Sequence, residues 1–301
     1  MSKTIIVSNR LPISLQHKHG KFEFKPSAGG LATGLGSIYK EGENIWIGWP
    51  GNDVEDGEQR QEVEVELKKL KMAPVFLTKK DVELYYEGFS NETIWPAFHY
   101  FTQHINYEDD YWDAYWQVNK KFCDAILAKA HDEDTIWVHD YQLLLLPMML
   151  REKLPNATIA FFQHIPFPSY EIIRMLPWRK QLLEGMVGAD LIGFHTYDDM
   201  RHFLSAVGRI LGQSNESGFI QADNRLINVD AFPMGIDYEK FEKAALSTKT
   251  KNHVKKFKKT LGDQKLLITI DRLDYSKGIP KRIKVFEKLL VQFEKGELPQ
   301  S

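Results

Sequence analysis

Ile136-Trp137-Val138-His139-Asp140-Tyr141 is the stretch on which the fold turns. Ile136–His139 is short, apolar and closed by turn-forming residues, which predicts a buried strand. Just upstream, Tyr111–Ala130 places Tyr111, Ala114, Tyr115, Val118, Phe122, Ala125 and Ile126 at spacings that put them on one helix face. Just downstream, Ile159–Gln163 is a second short apolar run. Further out, Thr4–Ser8, Ile45–Gly48, Val75–Thr78, Leu191–Phe194 and Val229–Phe232 predict more strands, and Leu182–Val187 and Met200–Leu211 more helices. Strand–helix–strand alternation of this kind predicts the α/β class, a parallel sheet with helices on both faces.

A second unit is expected to begin near Pro233-Met234-Gly235-Ile236. Lys249–Lys259 is strongly basic, but Val254, Phe257 and Leu261 mark an apolar stripe, so it reads as a solvated helix face. Leu266–Ile270 predicts another buried strand, Asp271–Gly278 a loop, and Ile283–Phe293 an amphipathic helix. One βα unit cannot bury its own sheet face. The expectation is one complete Rossmann-like domain over 1–235 and the truncated beginning of a second over 236–301.

Composition narrows the function classes. At 301 residues the chain is one large domain or two smaller ones. Its 43% hydrophobic and 27% charged residues exclude a disordered or collagen-like chain. Lys+Arg 39 against Asp+Glu 41 gives a net charge of −2, so no global basic field holds nucleic acid or an anionic membrane. A single cysteine, Cys123, rules out an intrachain disulfide framework and a zinc site of several cysteines. The apolar run Leu143–Leu150 is too short to cross a bilayer, and the first residues do not read as a secretory signal. A cytoplasmic protein is the expectation.

Five motifs stand at or near strand ends. Ser8-Asn9-Arg10 offers a planar guanidinium fork to a phosphate, or a surface pairing. Ser27-Ala28-Gly29-Gly30-Leu31 lets backbone N–H groups approach a phosphate, or makes a tight turn. Asp140 can orient a sugar hydroxyl, act as a base, or cap a helix. His164, before Ile165-Pro166-Phe167-Pro168, is a ligand contact or a hydrogen-bonded core histidine; no neighbouring cysteine or closely spaced histidine suggests zinc. Arg272 and Lys277 share one loop and can aim at one diphosphate, or pair with Asp271 and Asp274. Together they form a phosphate-and-sugar constellation.

Seven ordered blocks carry a resemblance: Ser8-Asn9-Arg10-Leu11-Pro12, Ser27-Ala28-Gly29-Gly30-Leu31, Trp46-Ile47-Gly48-Trp49, Trp95-Pro96-Ala97-Phe98-His99-Tyr100, Trp137-Val138-His139-Asp140-Tyr141, His164-Ile165-Pro166-Phe167-Pro168 and Arg272-Leu273-Asp274-Tyr275-Ser276-Lys277-Gly278. Across essentially its whole length the chain resembles the N-terminal portion of the trehalose-6-phosphate synthase family, retaining glycosyltransferases (family 20) with the GT-B pair of Rossmann domains. The resemblance implies glucose transfer from UDP-glucose to glucose 6-phosphate, giving α,α-trehalose 6-phosphate and UDP. It implies that Arg10 holds the acceptor phosphate and that Tyr86, Trp95 and Asp140 form the acceptor pocket. It places Gly30 at the donor phosphates and His164 beside the donor glucose, with Arg272 and Lys277 on the diphosphate. It implies no cofactor, no catalytic metal and no nucleophilic side chain; a homo-oligomer is compatible with it. The family's D-G-M-N-L-x-x-x-E donor segment does not occur in these 301 residues. Little synthase activity is therefore expected of this chain alone. A truncated sugar-phosphate-binding subunit, or a synthase using glycerol 3-phosphate, are the alternatives.

Overall fold

The computed structural model describes residues 3–18, 21–26, 35, 43–54, 57–222, 224–262, 264 and 266–295. The chain divides into two compact units, Met1–Met234 and Gly235–Ser301.

The first unit is built on β1 (Thr4–Arg10), β4 (Ile45–Trp49), β5 (Met72–Pro74), β6 (Thr135–His139), β7 (Thr158–Phe162), β8 (Leu191–Phe194) and β11 (Arg225–Ala231). These seven strands pair in parallel, in the order β5-β4-β1-β6-β7-β8-β11. Two short strands extend the sheet: β10 (Phe219–Ala222) pairs antiparallel with β11, and β9 (Asn215–Glu216) antiparallel with β10. A separate hairpin joins β2 (Ile13–Lys18) to β3 (Lys21–Pro26). The interior strand β1 reads Ile5-Ile6-Val7 with both faces covered, and burial of this kind makes the parallel strands continuous apolar runs.

Ile5 and Val7 face a core with Ile136, Val138, Phe161 and Phe194. Helix α1 (Glu58–Lys69) covers the other face, placing Val63 and Leu67 with Ile6, Trp46 and the hairpin's Leu15. Helix α2 (Asp109–Leu127) buries Tyr115, Val118, Phe122 and Ile126 in the first core, on the face expected from their spacing. Its first turn carries Asp109 and Asp110, which favour the positive end of the helix dipole. Burying a phenylalanine such as Phe122 contributes roughly 1.5–3 kcal/mol.

A helical stretch over 79–98 precedes α2. Its middle, Val82–Ile94, is π-helical. A Cβ on Gly88 would stand 2.8 Å from the Tyr111 ring, so glycine permits this stretch to lie against α2.

Two expected strands differ. The edge strand is Met72–Pro74 rather than Val75–Thr78. Thr78 instead caps the next helix, exchanging hydrogen bonds with Asp81 in a capping box. Leu266–Ile270 is not in a ladder. No other strand stands among the described residues of the second unit to pair with it, and Ile270 is 88% exposed. That unit comprises α3 (Tyr238–Leu246), α4 (Thr248–Leu261) and α5 (Ile279–Glu294), none with a buried residue. Phe257 and Phe286 stay exposed, as in a piece too small to close a core.

Candidate functional site

The chain runs from β1 outward to β4 and β5, then returns to β6 on the other side of β1. Strand order reverses there, and the crevice outside the carboxyl ends of β1 and β6 is where such sheets bind ligands. Arg10 ends β1, Asp140 follows β6, His164 follows β7 and His195 follows β8.

The end of β1 is locked by side chains. The Trp46 indole donates to Ser8 Oγ at 2.7 Å, and Ser8 Oγ donates to the Arg10 carbonyl at 2.8 Å. The Tyr85 hydroxyl, buried in the π-helical stretch, donates to Asn9 Oδ1 at 3.0 Å. The register with β4 skips between Val7 and Arg10, which re-aims the last residue. Arg10 is exposed, with its guanidinium 5.3 Å from the Trp49 ring centroid. A side chain on Gly51, whose φ is +95°, would collide with that guanidinium. Among the described residues no carboxylate forms an ion pair with Arg10. Tyr86 lies 6.3 Å from Trp49, ring to ring, and extends this wall.

Asp140 has φ 76° and ψ 169°, a region that side chains other than hydrogen seldom adopt. Its Oδ1 accepts from the backbone N–H of Tyr141 at 3.0 Å and of His164 at 3.2 Å, tying the ends of β6 and β7 together. Burial pushes its carboxyl up to about 6, against the N–H bonds that favour the anion. Trp95 packs on His99 at 4.0 Å and on Tyr141 at 5.6 Å, and the Tyr141 hydroxyl donates to Asn91 Oδ1. The structure thus connects Trp95 to the Asp140 turn.

His164 is half-buried. Its Nε2 lies 3.0 Å from Nδ1 of the fully buried His139, and its ring meets His195 edge-on at 5.5 Å. Burial, then the His195 charge, bring His164 down to about 4. Burial lowers His139 and His195 as well. A cavity of about 530 Å³ lies against Trp137, His139, Phe162, His164 and Gly193. Among the described residues no three metal-ligating side chains converge, and no helix is long and apolar enough to cross a membrane.

These shifts have opposite signs for stability. His164 binds fewer protons folded than unfolded between about pH 4 and 6.5, so its contribution grows as pH rises through that window. Asp140 binds more protons folded than unfolded between about pH 4 and 6, so its contribution is lost as pH rises. Asp140→Asn is therefore expected to steepen the gain in stability from pH 4 to 6.5. Urea midpoints across that range check this; an unchanged slope refutes it.

In the second unit, Arg272 precedes and Lys277 ends a 3₁₀ turn, Tyr275–Lys277, that leads through Gly278 (φ +65°) into α5. The Asp271 carboxylate is held by Arg282 at 2.6 Å, and Asp274 accepts from the Ser276 N–H at 2.8 Å. Neither acid forms an ion pair with Arg272 or Lys277, although both cations help hold Asp274 below the ordinary carboxylate range.

The structure thus brings Asp140 and His164 into direct contact and joins Trp95 to them through Tyr141. Tyr86 stands with Arg10 on the β1 side. Arg272 and Lys277 belong to the other unit. Gly30, with its block Ser27–Leu31, lies outside the described residues. His139 and His195 were not singled out from sequence; their places at the ends of β6 and β8 were the available signal.

The family model for glycosyltransferase family 20 matches residues 2–297. A UDP-forming α,α-trehalose-phosphate synthase of Pichia angusta is 44% identical over 299 residues, 95% of this chain and 62% of that protein. An E. coli structure described as trehalose-6-phosphate bound with UDP-2-fluoro glucose has a TM-score of 0.81 and 31% identity, covering 98% of this chain and 62% of the other. A Burkholderia xenovorans α,α-trehalose-phosphate synthase in complex with glucose-6-phosphate has a TM-score of 0.80 and 33% identity, covering 96% and 62%. The chain spans 60% of the length of a Kluyveromyces lactis relative, 62% of the Pichia angusta one and 40% of one from Dictyostelium discoideum.

Proposed function

The chain belongs to glycosyltransferase family 20, and from that premise we propose that it takes part in transferring glucose from UDP-glucose to glucose 6-phosphate, forming α,α-trehalose 6-phosphate and UDP. The observation that carries the reading is Arg10. An exposed guanidinium, braced by Trp49 and Gly51 and without a carboxylate partner among the described residues, stands at the strand-order reversal. Such a fork suits a sugar phosphate. Relatives named as UDP-forming trehalose-phosphate synthases, and a neighbour in complex with glucose-6-phosphate, support the same substrates.

In this reading Arg10 holds the acceptor phosphate, with Tyr86 and Trp95 lining the pocket. Asp140 orients a sugar hydroxyl. His164 lies beside the donor glucose and Gly30 approaches the donor phosphates through its backbone. Arg272 and Lys277, ahead of the positive end of α5, neutralise charge on the departing diphosphate. The attacking hydroxyl is deprotonated by a leaving phosphate oxygen, so no side chain serves as nucleophile and no metal or cofactor is required. We further propose that turnover needs the acidic donor segment absent from these 301 residues, and that the reaction is cytoplasmic.

The test measures UDP release by this chain, alone and joined to the remaining length of its relatives, with glucose 6-phosphate, glycerol 3-phosphate or no acceptor. Release by the longer chain that depends on glucose 6-phosphate establishes the reading. Release with glycerol 3-phosphate alone reassigns the acceptor. None from either folded chain leaves a sugar-phosphate-binding subunit. Arg10→Ala in the longer chain is expected to raise KM for glucose 6-phosphate about ten- to a hundredfold, the scale of one charged hydrogen-bond partner. An effect on UDP-glucose alone would reverse the division of the crevice.

A further inference from the structure

His139 ends β6, is fully buried, and has its Nδ1 3.0 Å from Nε2 of His164. Two neutral rings share one proton across that contact. Either His139 donates from Nδ1, or His164 donates from Nε2. The other nitrogen of His139 decides between them. Its Nε2 is buried and has no hydrogen-bond partner among the described residues. If His139 donates from Nδ1, that orphan is a bare lone pair. If His164 donates, the orphan is a buried N–H without an acceptor among the described residues. Buried N–H groups are seldom left unpaired. Burial also disfavours a charged ring at either position.

We propose that His139 is a positioning residue that, by donating from Nδ1, fixes His164 as the tautomer whose only proton is on Nδ1. The bond made by one ring nitrogen sets the state of the other. His164 Nδ1 has no protein partner among the described residues. His164 is then a standing hydrogen-bond donor, matched to an oxygen of a sugar ligand and mismatched to a donating group. The identity of that ligand rests on the function proposed above; the tautomer does not.

The test is a long-range ¹H–¹⁵N correlation spectrum of the histidine-labelled 301-residue chain at pH 7, with His164 assigned by its loss in His164→Gln. The expected spectrum shows Nδ1 of His164 protonated and Nε2 unprotonated. The opposite tautomer overturns the proposal, and this measurement needs no variant at position 139 to fold. His139→Asn, whose amide N–H replaces the Nδ1 donor, is expected to keep the His164 tautomer, whereas His139→Leu mixes the two. Equal behaviour of the two variants overturns it. In the longer chain His139→Leu is expected to lower kcat about tenfold, the scale of one hydrogen bond, with KM for glucose 6-phosphate unchanged and His139→Asn restoring most of the loss. A mixed tautomer with unaltered kcat removes the positioning role. A wild-type longer chain without transferase activity removes the sugar assignment and leaves the spectrum to decide the tautomer.

Discussion

Arg272→Ala or Lys277→Ala, made in a chain carrying the remaining length of its relatives, is expected to lower kcat/KM for UDP-glucose by about a hundredfold or more, the scale of removing a transition-state charge partner. The nearby acids do not consume these cations. Asp271 is committed to Arg282, and Asp274 caps the turn that leads to Lys277. Both cations are exposed, so water screens them until a ligand displaces it. On the function proposed above, their effect belongs to the closed, water-poor complex, where charge on the leaving diphosphate is otherwise unbalanced. Lys277→Arg is expected to restore only part of the activity, because a planar fork does not replace a compact ammonium. Steady-state kinetics with UDP-glucose varied provide the check. Near-normal turnover by either alanine variant refutes the leaving-group role.

Asp140 gives the second large effect. Asp140→Ala and Asp140→Gly both remove the acceptor for the Tyr141 and His164 N–H groups and loosen the joint between β6 and β7. Each is expected to cost roughly a hundredfold in kcat/KM in the longer chain, since small misplacements of a positioned substrate reach that size. Their stabilities should differ. At φ 76° and ψ 169° an alanine retains the backbone strain and a glycine relieves it. The glycine variant is expected to be the more stable by about 1–3 kcal/mol. Urea denaturation of both variants in the 301-residue chain measures the difference. Equal midpoints and slopes would mean that the Asp140 backbone stores no strain.

The parallel strands were legible because burial on both faces writes a strand as an unbroken apolar run. Leu191–Phe194 was read with the bounds it has. The β2–β3 hairpin was missed, although Ile13 and Leu15 alternate with Ser14 and Gln16 as a half-buried strand should. Val75–Thr78 was misread because apolar character alone does not distinguish a strand from the approach to a capped helix; Thr78 and Asp81 held the answer. Leu266–Ile270 has strand composition, but a strand also needs a neighbour, which no local pattern supplies. For the candidate site, the strand-end rule singles out Arg10, Asp140 and His164, while Tyr86 and Trp95 enter only through the family resemblance. The backbone angle of Asp140 was invisible, because aspartate at a helix start is ordinary. The contact between His139 and His164 depends on β6 and β7 lying side by side, which residue order does not state.

The position of β1 between β4 and β6 sets a schedule for synthesis. Its neighbour β4 follows early, but its other edge pairs with β6, and 131 residues separate Lys3 from the Asp134 carboxylate that accepts its N–H. At about 5–20 residues per second, that edge waits roughly 7–26 s on the ribosome for its partner. Through that interval one side of Ile5-Ile6-Val7 is an open ladder, the kind of edge that recruits foreign strands. Arg10 is made well before Asp140, so the crevice between the ends of β1 and β6 cannot exist until Asp140 has emerged. Truncations that end before β6 are therefore expected to be held by chaperones or to aggregate, while those ending beyond β11 escape that fate.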